Sequence, residues 1–191
     1  MEPTVVDVAA LVERCRSGDG LAWEALVRRF QARVHGLTLQ YLRNAEEARD
    51  VAQDVFIRVY QRLDSFDGGE FVPWLLQVTR NACIDRLRRI RARPSQDVSI
   101  EDGPELPLDA AGPEEALEHR ERERLLQRAL GGLSEKHREI VLLKEIQGLK
   151  FEEIAAMLNV PIGTLKSRSN RARLELAALV RRLDPSYGTS A

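Results

Sequence analysis

The sequence predicts an all-α protein: two small helical domains joined by a flexible acidic linker, the C-terminal one a helix-turn-helix. Three observations carry this. Apolar residues recur at helical spacing along most of the chain, with no convincing period-two run. The segment 94–112 interrupts that pattern, gathering Pro94, Gly103, Pro104, Pro107 and Gly112 among acidic residues. The stretch from Leu133 to Leu176 has the turn chemistry and donor pattern of a helix pair that enters a DNA groove. The expected division is therefore 1–93, a linker at 94–112, a second domain at 113–184 and a short tail at 185–191.

From Asp7 to about Arg93 the pattern is helical, punctuated by turn signals at Ser17 to Gly20, at Asn44 and at Asp67 to Gly69. Within it, a helix is predicted from Glu46 to Leu63. Placing its residues at 100° intervals puts Val51, Ala52, Val55, Phe56, Val59 and Leu63 on one broad face, as a core helix requires. On the opposite face Asp50, Gln53, Asp54 and Gln61 surround Ile57. A single exposed apolar residue is ordinary, but one ringed by acids and amides on a rigid helix also suits a small protein-docking face.

The next stretch, Ser65 to Arg89, begins with Phe66, Asp67, Gly68 and Gly69 and continues through Phe71 and Trp74 into a helix with Asn81 and a rising density of arginine. Cations along a backbone and aromatic or polar side chains around a pocket hold unpaired bases, and Phe66, Asp67, Trp74 and Asn81 offer such groups. For Phe71, Trp74 and Leu75 a place in the core is the stronger reading. The arginines from Arg80 to Arg93, Arg86 among them, face only Asp85 in sequence and fit a polyanion.

In the second domain Pro113, followed by Glu114 and Glu115, opens a helix that runs to Leu130, with Gly131 and Gly132 ending it. Ser134 caps the next helix and Gly148 stops it. Phe151 to Leu158 then forms a short helix with Ile154, Ala155 and Leu158 on one face, Asn159 makes the turn, and Pro161 opens the last helix. Leu165, Ala172 and Leu176 recur inward along it. Thr164, Lys166, Ser167, Arg168, Asn170, Arg171 and Arg173 are left largely outward, either as a solvated basic face or as donors for base edges and phosphates.

The net charge of −1 argues against nucleic acid only until its distribution is considered. Asp97, Glu101, Asp102, Glu105, Asp109, Glu114, Glu115 and Glu118 meet no Lys or Arg before Arg120, so an acidic segment separates two basic ones. Cys15 and Cys83 are far apart and form no metal-binding or disulfide pattern, which fits a reducing cytoplasm. No signal peptide or membrane span is expected. His35, His119 and His137 are scattered, and neither a phosphate-cradling glycine loop nor a motif-placed carboxylate pair is present, so neither catalysis nor a cofactor or metal is expected.

Three blocks, DVAQDVFIRVYQRLDSF, FVPWLLQVTRNACIDRLRR and LSEKHREIVLLKEIQGLKFEEIAAMLNVPIGTLKSRSNRARLEL, closely resemble the extracytoplasmic function (ECF) sigma factors of the sigma-70 family, near the sigma-E type. The resemblance implies a non-enzymatic, stress-response initiation factor that joins core RNA polymerase and directs it to promoters. It implies that Asp50, Gln53, Asp54, Ile57 and Gln61 dock on the β′ clamp helices, with the β subunit also a partner. It further implies that Phe66, Asp67, Gly68, Gly69, Trp74, Asn81 and Arg86 capture the single-stranded −10 element, and that the recognition helix reads the −35 duplex. The linker would lie in the polymerase channel, an anti-sigma factor would hold the protein inactive, and no small-molecule substrate is implied. Lys150 stands where the family often has a capping Ser, and Ser169 where it usually has an apolar residue. Two rivals remain: an operator-binding helix-turn-helix regulator acting without polymerase, and an adaptor whose basic helices bind an acidic protein.

Overall fold

The structure, a computed structural model, describes residues 7–92 and 113–186, with side chains from 121 onward in the second stretch. These residues fall into two compact units, each all-α, with no strand among the described residues. The predicted linker at 94–112 lies outside them.

The first unit comprises α1 (Val8–Arg16), α2 (Gly20–Leu42), α3 (Ala45–Arg62), a 3₁₀ turn at Leu63–Ser65 and α4 (Phe71–Ala92). Each early helix starts on a carboxylate or amide that accepts an otherwise orphaned N–H. Asp7 Oδ1 takes Ala9 N–H at 3.1 Å, Asp19 Oδ1 takes those of Leu21 at 3.0 Å and Ala22 at 3.1 Å, and Asn44 Oδ1 takes that of Glu47 at 2.9 Å. The expected turns coincide with the helix breaks, where Gly18 at φ +84° and Gly68 at φ +82° adopt left-handed backbone. Helix α2 packs on α1, α3 and α4, so Leu26, Val34, Val55, Val59 and Leu75 meet in a core closed to solvent. Cys83 lies in the same core, where burial pushes its thiol up to about 12 and leaves it inert at neutral pH.

The second unit contains α5 (Pro113–Gly132), α6 (Glu135–Val141), a π-helical turn at Leu142–Ile146, α7 (Phe151–Leu158) and α8 (Ile162–Leu183). Helix α8 packs against α5, α6 and α7, and Ile140, Leu143, Ile154, Leu165 and Ala172 are fully buried. Helix α5 ends at its glycines as expected from sequence, though it takes in Gly131 and Gly132 and so runs two residues past Leu130, neither glycine adopting a left-handed backbone. Gly132 serves close approach instead: a Cβ there would lie 3.0 Å from Leu179 Cδ2 on α8. Ser134 caps α6 as expected, accepting His137 N–H at 3.3 Å. Gly148, at φ +70°, ends the π turn.

Helix α7 starts without a side-chain acceptor at Lys150, but Glu153 reaches back to accept the Lys150 N–H at 2.5 Å, half of a capping box. Ser169 is buried at 3% exposure on the inward face of α8, as its sequence position implied. No helix among the described residues is long and apolar enough to cross a membrane.

Candidate nucleic-acid and docking surfaces

The outward face of α3 is built as the periodicity required. Val51, Ala52, Val55 and Val59 are buried, Phe56 is partly buried, and Asp50, Gln53, Asp54, Ile57 and Gln61 are all exposed, Ile57 at 56%. A residue missed in sequence extends this face. Tyr60, three positions after Ile57 and so its neighbour on the helix surface, is 58% exposed and meets Trp23 edge-on at 5.0 Å. Beside it, Trp23, Phe56, Ile57, Tyr60 and Gln61 line a cavity of about 400 Å³ with Cys15 also on its wall. Burial, and then the nearby Asp19 carboxylate, raise the Cys15 thiol. The i,i+3 spacing of Ile57 and Tyr60 was the available signal.

The loop after the 3₁₀ turn departs from expectation at one of its aromatics. Phe66 is 7% exposed, set at 5.7 Å and 90° to Phe71 and at 5.2 Å to Trp74, so its ring anchors the loop in the core and is not free to meet a base. Phe71 and Leu75 are core, as favoured, while Trp74 is only partly buried. Beyond Phe66 the chain leaves the core: Asp67, Gly68 and Gly69 are exposed, and Asp67 Oδ1 accepts the Gly69 N–H at 3.2 Å around the left-handed Gly68. Asn81 is exposed two helical turns after Trp74 on the same side of α4.

Arg86 is the second departure. Its Nε donates to Glu47 Oε2 near the start of α3, and that bond, more than any other influence, raises the guanidinium's affinity for its proton. With side chains 28% and 24% exposed, Arg86 and Glu47 tie α4 to α3, and Arg86 is not a free cation for DNA. Arg86→Ala is therefore expected to destabilise the first unit by about 1 kcal/mol, a loss visible in urea denaturation and partly recovered by Arg86→Lys. Undiminished stability would show that the pair contributes nothing. The exposed cations of this helix are Arg88, Arg89 and Arg91.

In the second unit the turn is made by Asn159 at φ 52°, ψ 50°, with Val160 N–H donating to Ala155 O at 3.3 Å. Pro161 sits one position earlier than expected, at the N-cap of α8. Leu165 and Ala172 are sealed inside and Leu176 is partly buried. Thr164, Lys166, Ser167, Asn170, Arg171 and Arg173 are exposed together on α8, with Arg168 partly buried. Ser167 Oγ donates to Thr164 O at 2.9 Å, leaving its lone pairs outward, and Arg173 Nε stands 3.9 Å from Glu145 Oε1 at the helix flank. The positive end of the α8 dipole adds to this concentration of donors.

Comparison with known proteins divides the chain along the same lines. Residues 26–93 match the model of sigma-70 region 2, and residues 123–176 that of sigma-70 region 4. The RNA polymerase sigma-H factor of Pseudomonas aeruginosa is 36% identical over 170 residues, covering 85% of this chain and 88% of that protein. The ECF RNA polymerase sigma-E factor of Escherichia coli is 36% identical over 171 residues, with 85% and 88% covered. The sigma factor RpoE solved with the anti-sigma factor NepR from Bartonella quintana shares the fold, with a TM-score of 0.63 at 23% identity over 83% of this chain and 96% of that one. With region 2 on the unit that carries the acid-rimmed helix and region 4 on the unit that carries the donor-lined one, the chain belongs to the ECF group of sigma-70 family RNA polymerase sigma factors.

Proposed function

We propose that this sigma factor binds core RNA polymerase through the α3 face, captures the melted −10 strand at the α4 loop and reads the −35 duplex with α8. The family is one of initiation factors and not of enzymes. The observation that carries the division of labour is the coexistence, in one chain, of an apolar Ile57 rimmed by Asp50, Gln53, Asp54 and Gln61 on one unit and an exposed donor face from Thr164 to Arg173 on the other. An operator-binding regulator has no use for the first, and an adaptor has none for the second. Tyr60 and the neighbouring groove continue the docking face toward the β′ clamp helices. Asp67, Gly68, Gly69, Trp74 and Asn81 form the −10 surface, without the Phe66 ring or Arg86. The domains proposed are 1–93 and 113–184 with 94–112 between them, the site of action is the cytoplasm, and control falls to an anti-sigma factor.

In vitro transcription with purified core polymerase on a promoter library tests this directly. Transcripts should start only with both proteins present and should share one −10 and one −35 sequence. Library-wide binding without any gain in transcription would instead favour the operator-binding regulator.

Within α8, Lys166, Ser167, Asn170 and Arg171 are placed to reach base edges, and Arg168 and Arg173, toward the flanks, to reach phosphates. Arg171→Ala is expected to cost about 1–3 kcal/mol and relax preference at one −35 position, whereas Arg173→Ala weakens all sequences alike and lowers the salt slope by about one. Duplex binding across a −35 library at several salt concentrations checks this. A uniform loss from Arg171→Ala would remove its base-reading role.

A further inference from the structure

One side chain from α1 crosses to the loop that the −10 reading depends on. Arg16 Nε donates to Leu63 O at 3.0 Å, its Nη2 donates to Phe66 O, and its Nη1 donates to Glu13 Oε1 at 2.7 Å. Its guanidinium carbon also stands 5.7 Å over the Phe66 ring. Leu63 and Phe66 lie 47 and 50 residues away in sequence, so this contact is made by the fold and not by the local chain. The two carbonyls bracket the 3₁₀ turn, and Phe66 O is the last main-chain acceptor before the exposed Asp67, Gly68 and Gly69.

Beyond Phe66 the loop has little of its own to hold it. Its internal support is the exposed Asp67 bond to Gly69 N–H, around a glycine whose backbone freedom is the largest of any residue. The direction in which it leaves the core is therefore set at Phe66, by ring packing on one side and by Arg16 on the carbonyl. A planar fork with donors at fixed angles can span two carbonyls and a carboxylate at once, while a lysine ammonium acts as a point charge and holds such an array poorly.

We propose that Arg16 is a positioning residue for −10 capture: it fixes the exit of the Asp67–Gly69 loop and thereby determines how sharply the unpaired base is selected. The inference rests on the reading of that loop as the −10 surface.

The test uses the full chain with core polymerase and three variants, Arg16→Ala, Arg16→Lys and Asp67→Ala. In the free protein, hydrogen exchange at the Phe66 amide, which donates to Leu63 O across the turn that Arg16 spans, should quicken about tenfold in Arg16→Ala and less in Arg16→Lys. On promoters varied at each −10 position, Arg16→Ala should reduce discrimination about tenfold at the position the loop contacts, with core affinity and −35 duplex binding within about twofold of wild type. A loss confined to general stability would lower all these activities together. Unchanged exchange at the Phe66 amide, or full discrimination in Arg16→Ala, overturns the positioning role. If Asp67→Ala flattens discrimination and Arg16→Ala does not, Arg16 alone is dismissed. If Asp67→Ala also leaves discrimination intact, the loop is not the −10 surface, and the inference fails with it.

Discussion

Reversing the charge at Asp54 together with Ile57→Glu is expected to weaken binding to core polymerase by about 100-fold or more, the loss of roughly 3 kcal/mol that follows when a buried interface anchor is removed. Ile57 is the apolar centre of the α3 face and Asp54 part of its rim, so the double variant loses the anchor and its electrostatic match together. Because both side chains face solvent in the free chain, helicity and melting temperature should stay near wild type, which separates this effect from misfolding. Fluorescence titration of core polymerase measures it directly. Affinity within about threefold of wild type would place the docking surface elsewhere.

Leu165→Ala should act by the opposite route. Leu165 is fully buried one turn into α8, with the exposed Thr164 and Lys166 on either side of it, so the side chain that holds the helix down adjoins those proposed to meet DNA. Truncating a buried leucine costs about 2–5 kcal/mol through lost transfer energy and the cavity left behind. A unit this small has little stability in reserve. The melting transition of the second unit is expected to fall by about 10 °C or more, with loss of −35 duplex binding, while amide resonances of α1 to α4 keep their dispersion. A melt within about 2 °C of wild type would show that Leu165 is not critical to the seating of α8.

The features legible in the sequence were those written in local spacing. The turn signals at Ser17 to Gly20, Asn44 and Asp67 to Gly69 matched the observed breaks because glycine backbone freedom and side-chain caps act within a few residues. The α3 face was readable from its 100° period, and Asn159 from its tolerance of left-handed backbone. What escaped was set at longer range. Arg86 with Glu47 and Arg16 with Leu63 and Phe66 are partners 39, 47 and 50 residues apart, and nothing in either local pattern announces the other. The Phe66 ring was assigned to a pocket because an aromatic beside a glycine loop looks the same whether it faces in or out. The π turn at Leu142–Ile146 was hidden in an apolar run that reads equally well as plain helix, since the closing bond from Gln147 N–H to Leu142 O, 2.8 Å long, spans one residue more than the α-helical spacing.

Helix α8 spans 22 residues, about 33 Å at the usual rise, yet its proposed DNA-facing side chains end at Arg173. The remaining turns continue past the donor face, where Leu179 comes so close to α5 that a Cβ on Gly132 would stand 3.0 Å from its Cδ2. Mechanically, the helix is a beam clamped along its length: Leu165, Ser169 and Ala172 seat the half that carries the donors, and Leu179 bears on α5 beyond it. A beam clamped in this way does not have to be ordered when it enters the groove, because its backbone entropy was given up on folding. What DNA must still freeze are the rotamers of a few long side chains, about 0.5–1.5 kcal/mol each. On that account the clamp contributes to promoter affinity without touching a nucleotide, and loosening it at Leu179 would appear as a weaker complex with an unchanged preference for sequence.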